Sequence, residues 1–222
     1  MGLTRNVFFG NVLPDQELRP LAALFPGVEE GDVQAVLDLI PLDRPKQLSS
    51  GETRWALGLC SKEVRLLTWQ GSEVALPYRV YFQAPAPGAL QHLTDRQQQV
   101  LHCLYLRHHD GYLRQRHLEA LFALSGSLPE EFTTPFTFSL LGEYVQEILE
   151  VLEQQLTPAL VARYLELICA NPLYWQQTQG RVASYWDVYY RIRRRGAPRF
   201  QHYVGVRILA KLQNAWQQAA LS

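Results

Sequence analysis

Two imidazoles, a carboxylate and a glycine stand side by side at His108-His109-Asp110-Gly111, the most chemistry-bearing string in the sequence. Imidazole with carboxylate can ligate zinc, or serve as acid and base near neutral pH. Adjacent side chains point in different directions, however, and only His102 and His117 lie near enough in sequence to assist. The same string also reads as a helix C-terminus, with histidine at the negative end of the dipole and glycine closing the turn. An enzyme built on His108, His109 and Asp110 therefore ranks third among the function classes considered. Other reactive arrangements are missing. There is no G-x-S-x-G string, and Cys103 beside His102 diverges from it by about 100° on a helix. Glycines match neither phosphate-cradling pattern. Glu143, Glu147, Glu150 and Gln154 share one helical face, but a di-metal site needs Glu-x-x-His partners that the sequence does not hold. A solvated stripe opposite Leu140, Tyr144 and Ile148 accounts for them. No metal, cofactor or catalytic residue is expected.

The densest binding-type chemistry lies between Arg181 and Arg207. Seven arginines there face one acidic residue, Asp187, giving +6, while the neutral total leaves −6 for the rest of the chain. Tyr185, Trp186, Tyr189, Tyr190, Phe200 and Tyr203 are interleaved with them, a composition suited to phosphate contact and base stacking. Val182, Trp186, Tyr189 and Ile192 fall near helical spacing and suit a core face instead. That leaves Arg191, Arg193, Arg194, Arg195 and Arg199 as candidates for nucleic-acid or anion binding, or as a basic helix end favoured by the dipole alone. Three consecutive arginines spread by about 100° each, and one exposed ion pair contributes only about 0–1 kcal/mol. At least two of Arg193, Arg194 and Arg195 are thus expected in solvent without a carboxylate partner.

Composition bounds the rest. With 222 residues, 47% hydrophobic and 19% charged, the chain has the makeup of a globular protein with a real core. Zero net charge excludes a global field toward nucleic acid or membranes. Eighteen arginines against three lysines suit bidentate chemistry or GC-rich coding. Their spread along the chain favours coding. Cys60, Cys103 and Cys169 form no disulfide framework or C-x-x-C pattern and sit among apolar neighbours, as reduced, buried thiols do. No signal peptide and no run of 18 apolar residues is present, so a cytoplasmic location without membrane attachment is expected.

The elements that must position these residues change character along the chain. Prolines punctuate residues 1–50, leaving room for short helices at 15–25 and 31–39. Period-two runs at Trp55–Leu59, Val64–Thr68 and Val74–Phe82 predict a three-stranded antiparallel meander turning at Gly71, with Pro77 marking an edge strand. The proline-rich stretch 84–88 reads as a linker. About six helices follow: one capped by Thr94 with Gln97, one from Leu113, one from near Thr134 to Gln155, one opened by Thr157-Pro158 and stopped by Asn171-Pro172, one at 173–193 and one at 203–219. The expected fold is α+β and predominantly α: a small N-terminal part over 1–88 and an irregular helical bundle over 89–222.

Residues 93–107, LTDRQQQVLHCLYLR, resemble the opening helix of bacterial helix-turn-helix regulators. Such a regulator would need a polar recognition helix next, and Tyr112 to Leu124 followed by Ser-Gly-Ser departs from that pattern. The leading expectation is a non-enzymatic helical scaffold or protein-partner-binding protein, with one apolar or aromatic patch left uncovered on its surface. The alternative is a nucleic-acid-binding protein using 181–207.

Overall fold

The computed structural model describes residues 24–40, 63–86, 88–124, 128–191 and 199–219. Among these residues the chain is mostly helical, with eight α-helices and one two-stranded antiparallel sheet. Helix α1, Glu30–Leu37, carries Glu30 and Asp32 in its first turn, where the dipole favours carboxylates. It buries Val33, Val36 and Leu37.

The hairpin pairs β1, Val64–Trp69, with β2, Ser72–Pro77, in the register Val64↔Pro77 through Trp69↔Ser72. Gln70 and Gly71 turn the chain with φ of 48° and 78°, the double positive φ that matches the right-handed twist of the strands. Leu67, Trp69, Val74 and Leu76 face the core. The alternation Val64, Leu66, Thr68 proves to be the outward face, with Leu66 58% exposed. Apolar side chains on both faces make the period legible and its phase ambiguous. The expected strand at Trp55–Leu59 and the helix start at 15–23 lie outside the described residues.

Strand β2 ends at Pro77, which has no N–H to continue a ladder. The chain then leaves the hairpin and Val80 bridges the turn after the next helix: its N–H donates to the Arg107 carbonyl at 2.8 Å, and its carbonyl accepts from His109 N–H at 3.0 Å. The other edge of the hairpin meets Asn171. Thr68 N–H donates to Asn171 Oδ1 and Asn171 Nδ2 donates to the Thr68 carbonyl, both at 2.8 Å.

Helix α2, Asp95–Tyr105, opens with the expected capping box: Gln97 N–H donates to Thr94 Oγ1, and Thr94 N–H to Gln97 Oε1. It packs against α3, Gly111–Leu124. The predicted helix from Thr134 to Gln155 divides. Helix α4 covers Thr134–Ser139, a 3₁₀ turn follows at Leu140–Gly142, Glu143 is extended, and α5 begins only at Gln146 and runs to Gln155. Helix α6, Pro158–Ala170, starts from a Thr157 cap. Helix α7, Pro172–Tyr185, continues as a π-helical turn over Trp186–Arg191. Helix α8, Val204–Ala219, crosses α7 closely at Gly205, where a Cβ would stand 3.0 Å from Val182 Cγ1 and Tyr203 Cε1. One buried core runs from Phe25, stacked on Phe136 at 5.0 Å, through Leu104, Phe138, Leu152 and Tyr164 to Ile208 and Leu212. Cys103 lies in this core, whereas Cys169 is exposed, contrary to the expectation of a buried thiol.

Candidate functional site

The break between α4 and α5 turns one carboxylate inward. Glu143 is buried, and its Oε2 receives Arg79 Nη2 at 3.0 Å and Arg114 Nη2 at 3.2 Å. It is therefore no member of a solvated stripe with Glu147 and Glu150. The arginines arrive from separate elements. Arg79 follows β2 and lays its guanidinium 4.5 Å from the Tyr78 ring centroid. Arg114, on α3, donates through Nη1 to the His108 and His109 carbonyls at 2.7 and 3.0 Å. Arg107 ends the turn after α2 and takes the place of a missing strand neighbour. It donates to the Pro77 carbonyl at 3.0 Å, the Tyr78 carbonyl at 2.7 Å and Ser139 Oγ at 2.8 Å.

Two further arginines approach from the hairpin and α7. Arg65 Nη1 donates to the Tyr174 hydroxyl at 3.3 Å, and its guanidinium lies 5.1 Å from that ring. Arg181 lies 5.9 Å from the same ring and crosses Gly142, where a Cβ would meet its Cδ at 3.4 Å and its Nη1 at 3.5 Å. Among the described residues three arginines are buried (Arg79, Arg107 and Arg114), while Glu143 is the one buried acid. Burial pushes Arg107 down to about 10 and lowers Arg114, with Glu143 opposing both shifts. Arg107 stays cationic at neutral pH. Arg181 Nη1 and Arg114 Nε are buried with no hydrogen-bond partner among the described residues.

Tyrosines roof this cluster. Tyr144 is 41% exposed, stacks on Tyr189 at 4.8 Å and meets Tyr185 edge-on at 5.9 Å. Tyr78 is also exposed. Burial raises the Tyr185 hydroxyl, with Tyr78 and Glu143 raising it further and Arg181 and Arg79 opposing. Chemically, guanidinium and phenol groups at neutral pH hold and orient an anion rather than exchange protons with it.

The residues singled out from the sequence stand elsewhere. His108 is buried with both ring nitrogens occupied. Its Nε2 lies 2.6 Å from the Phe82 carbonyl and must donate, so Nδ1 accepts Asp110 N–H at 3.0 Å. Burial lowers its pKa. His109 is exposed and stacks on Tyr81 at 5.3 Å. Asp110 accepts the Tyr112 N–H at 2.8 Å beside the start of α3. The His108 and His109 rings lie 4.3 Å apart, but both nitrogens of His108 are already engaged, and no metal-holding group of His, Cys, Asp and Glu stands among the described residues. Arg191 pairs with Asp187 one turn back and lies over Trp186. Arg199 is exposed, and Arg193, Arg194 and Arg195 lie outside the described residues.

Glu143 entered the sequence reading only as part of a solvated stripe and Arg181 only as the first arginine of the basic segment, while Arg65, Arg79, Arg107 and Arg114 escaped it. The excess of arginine over lysine was their one signal, and it carries no positional content. No protein-family model matches this chain, and no curated protein and no solved structure matches it either.

Proposed function

We propose that the chain is a non-enzymatic helical scaffold that binds a protein partner, docking an acidic segment of it on the face formed by Tyr78, Tyr144, Tyr185 and Arg181. The observation that carries this reading is the exposed rings of Tyr78 and Tyr144 over an arginine cluster with a single buried carboxylate among the described residues. Tyrosine and arginine are the residues enriched where protein interfaces concentrate their binding energy. Excess positive charge beneath the rings selects a negatively charged segment and steers its approach. A polyanion backbone instead calls for a stripe of cations spaced along its length. Here the charge is gathered at one point under aromatic cover. A cytoplasmic location belongs to the same reading, supported by free thiols at Cys103 and Cys169.

The test is fluorescence anisotropy with three labelled probes: a Glu/Asp-rich peptide containing one tyrosine, its Lys-rich counterpart, and a single-stranded oligonucleotide. The acidic peptide is expected to bind and the Lys-rich one not to. Tyr144→Ala should weaken binding about tenfold, as interface tyrosines do, while keeping the Tyr144 carbonyl that accepts the Tyr190 hydroxyl at 2.8 Å. An oligonucleotide binding more tightly, with steep salt dependence, would transfer the function to nucleic acid and to the 181–207 segment. Binding of neither anionic probe would overturn both readings.

A further inference from the structure

Arg181, at the base of the tyrosine face, has a geometry of its own. Arg181 Nη1 is buried without a hydrogen-bond partner among the described residues, and so is Arg114 Nε nearer the interior. A buried donor left unmade costs its full desolvation, more when it carries charge. Such a donor in a native fold calls for an explanation, and a bound anion is one. The local charge points the same way. Glu143 supplies one carboxylate to Arg79 and Arg114, while Arg107 spends its donors on neutral carbonyls and a hydroxyl. Among the described residues, Arg65 and Arg181 meet the Tyr174 ring rather than an acid.

A further carboxylate brings one charge, whereas a phosphate monoester brings about −1.5 to −2 with three strong acceptor oxygens, which suit the planar donor fork of arginine. Gly142 leaves room for the Arg181 stem, since a Cβ there would meet its Cδ at 3.4 Å. The exposed rings of Tyr78 and Tyr144 stand by the same cluster and offer flat walls to the group bearing the phosphate.

We infer that Arg181, with Arg79 beside it and Tyr78, Tyr144 and Tyr185 around it, forms a subsite for a phosphate monoester carried on a side chain of the protein partner. This rests on the reading of the tyrosine face as a docking surface, and it names the group that anchors the partner there. The flanking rings favour phosphotyrosine over phosphoserine.

The test uses the full chain and four probes: a phosphotyrosine peptide, its unphosphorylated form, a phosphoserine peptide and inorganic phosphate. Calorimetric titration is expected to show one saturable site per chain, tightest for phosphotyrosine. Arg181→Gln should weaken the phosphotyrosine peptide about tenfold or more, the scale of a hydrogen bond to a charged group. Arg181→Lys should recover only part of that loss, since lysine lacks the fork. Arg181→Lys, which keeps a cation near the Tyr174 ring and gives up no Nη1 hydrogen bond made among the described residues, should match the parent in melting temperature without ligand. Phosphotyrosine should raise the melting temperature of the parent and leave that of Arg181→Gln unmoved. Equal affinity for phosphorylated and unphosphorylated peptides would sink the phosphate subsite while leaving the docking face intact. Inorganic phosphate binding as tightly as both peptides would overturn the side-chain assignment. Unchanged affinity in Arg181→Gln would remove Arg181 from the site.

Discussion

His102 and His117 meet through their Nδ1 atoms at 2.8 Å, and Tyr105 stacks on the His117 ring at 4.4 Å. Burial pushes His102 down to about 4 and His117 to about 3, the latter assisted by the charge His102 would carry. A neutral pair shares one N–H between two nitrogens, but a doubly protonated pair would set two N–H groups against each other. The unfolded chain, with imidazoles near 6.5, takes up protons first as the medium is acidified. The stabilisation is complete above pH 6.5 and is lost progressively below it, the share of His102 being gone near pH 4 and that of His117 near pH 3. At about 1.4 kcal/mol for each pH unit and each proton, it amounts to several kcal/mol. Urea midpoints measured between pH 7 and pH 4 should therefore fall, and His117→Gln should flatten that slope. A midpoint independent of pH across this window would contradict the buried pair. Neither its contact nor the inward turn of Glu143 was legible in the sequence. His102 and His117 lie on different helices, and Glu143 shares the helical spacing of Glu147 and Glu150.

Element boundaries carried by local chemistry were legible, and those set by distant contacts were not. Thr94 with Gln97, Thr157 before Pro158, and Asn171 before Pro172 each satisfy or remove backbone donors within a few residues, so the sequence states them directly. Thr94→Ala should cost about 1 kcal/mol of stability by loss of the cap, read as a lower denaturant midpoint with unchanged slope. A loss near zero would mean that α2 is held by packing alone. The division between α4 and α5 is of the other kind. Phe136, Leu140, Tyr144, Ile148 and Leu152 keep a spacing of four that reads as one continuous helix. Arg79 and Arg114 draw Glu143 out of that helix into extended backbone, and neither lies near it in sequence. The hairpin was legible in its turn and its period. Its phase was set by which face the helices cover, and that put Leu67 and Trp69 inside in place of Val64 and Leu66.

At the scale of the whole molecule, elements on either side of residue 88 share side-chain bonds as well as a core. Gln97 donates to Asp32 at 2.8 Å, and Phe25 stacks on Phe136. Arg107 joins the end of β2 to Ser139. The proposed docking face depends on this assembly, because its arginines come from the hairpin region, the α2 turn, α3 and α7. One such long-range contact has a consequence for how separate copies of the chain coexist. The side-chain amide of Asn171 offers Thr68 one acceptor and one donor, as a neighbouring strand would, and occupies the outer rim of β1. Beside it Val64, Leu66 and Leu173 are exposed. Without that amide, an open backbone rim next to apolar side chains becomes a template for another chain to add itself. Asn171→Ala should therefore do more than lose about 1–2 kcal/mol of hydrogen bonding. Its light-scattering mass should climb with protein concentration where that of the parent stays level. A constant mass at equal concentration would show that the amide serves stability alone. Asn171 would then matter as much for keeping copies of the molecule apart in a crowded solution as for holding each one together.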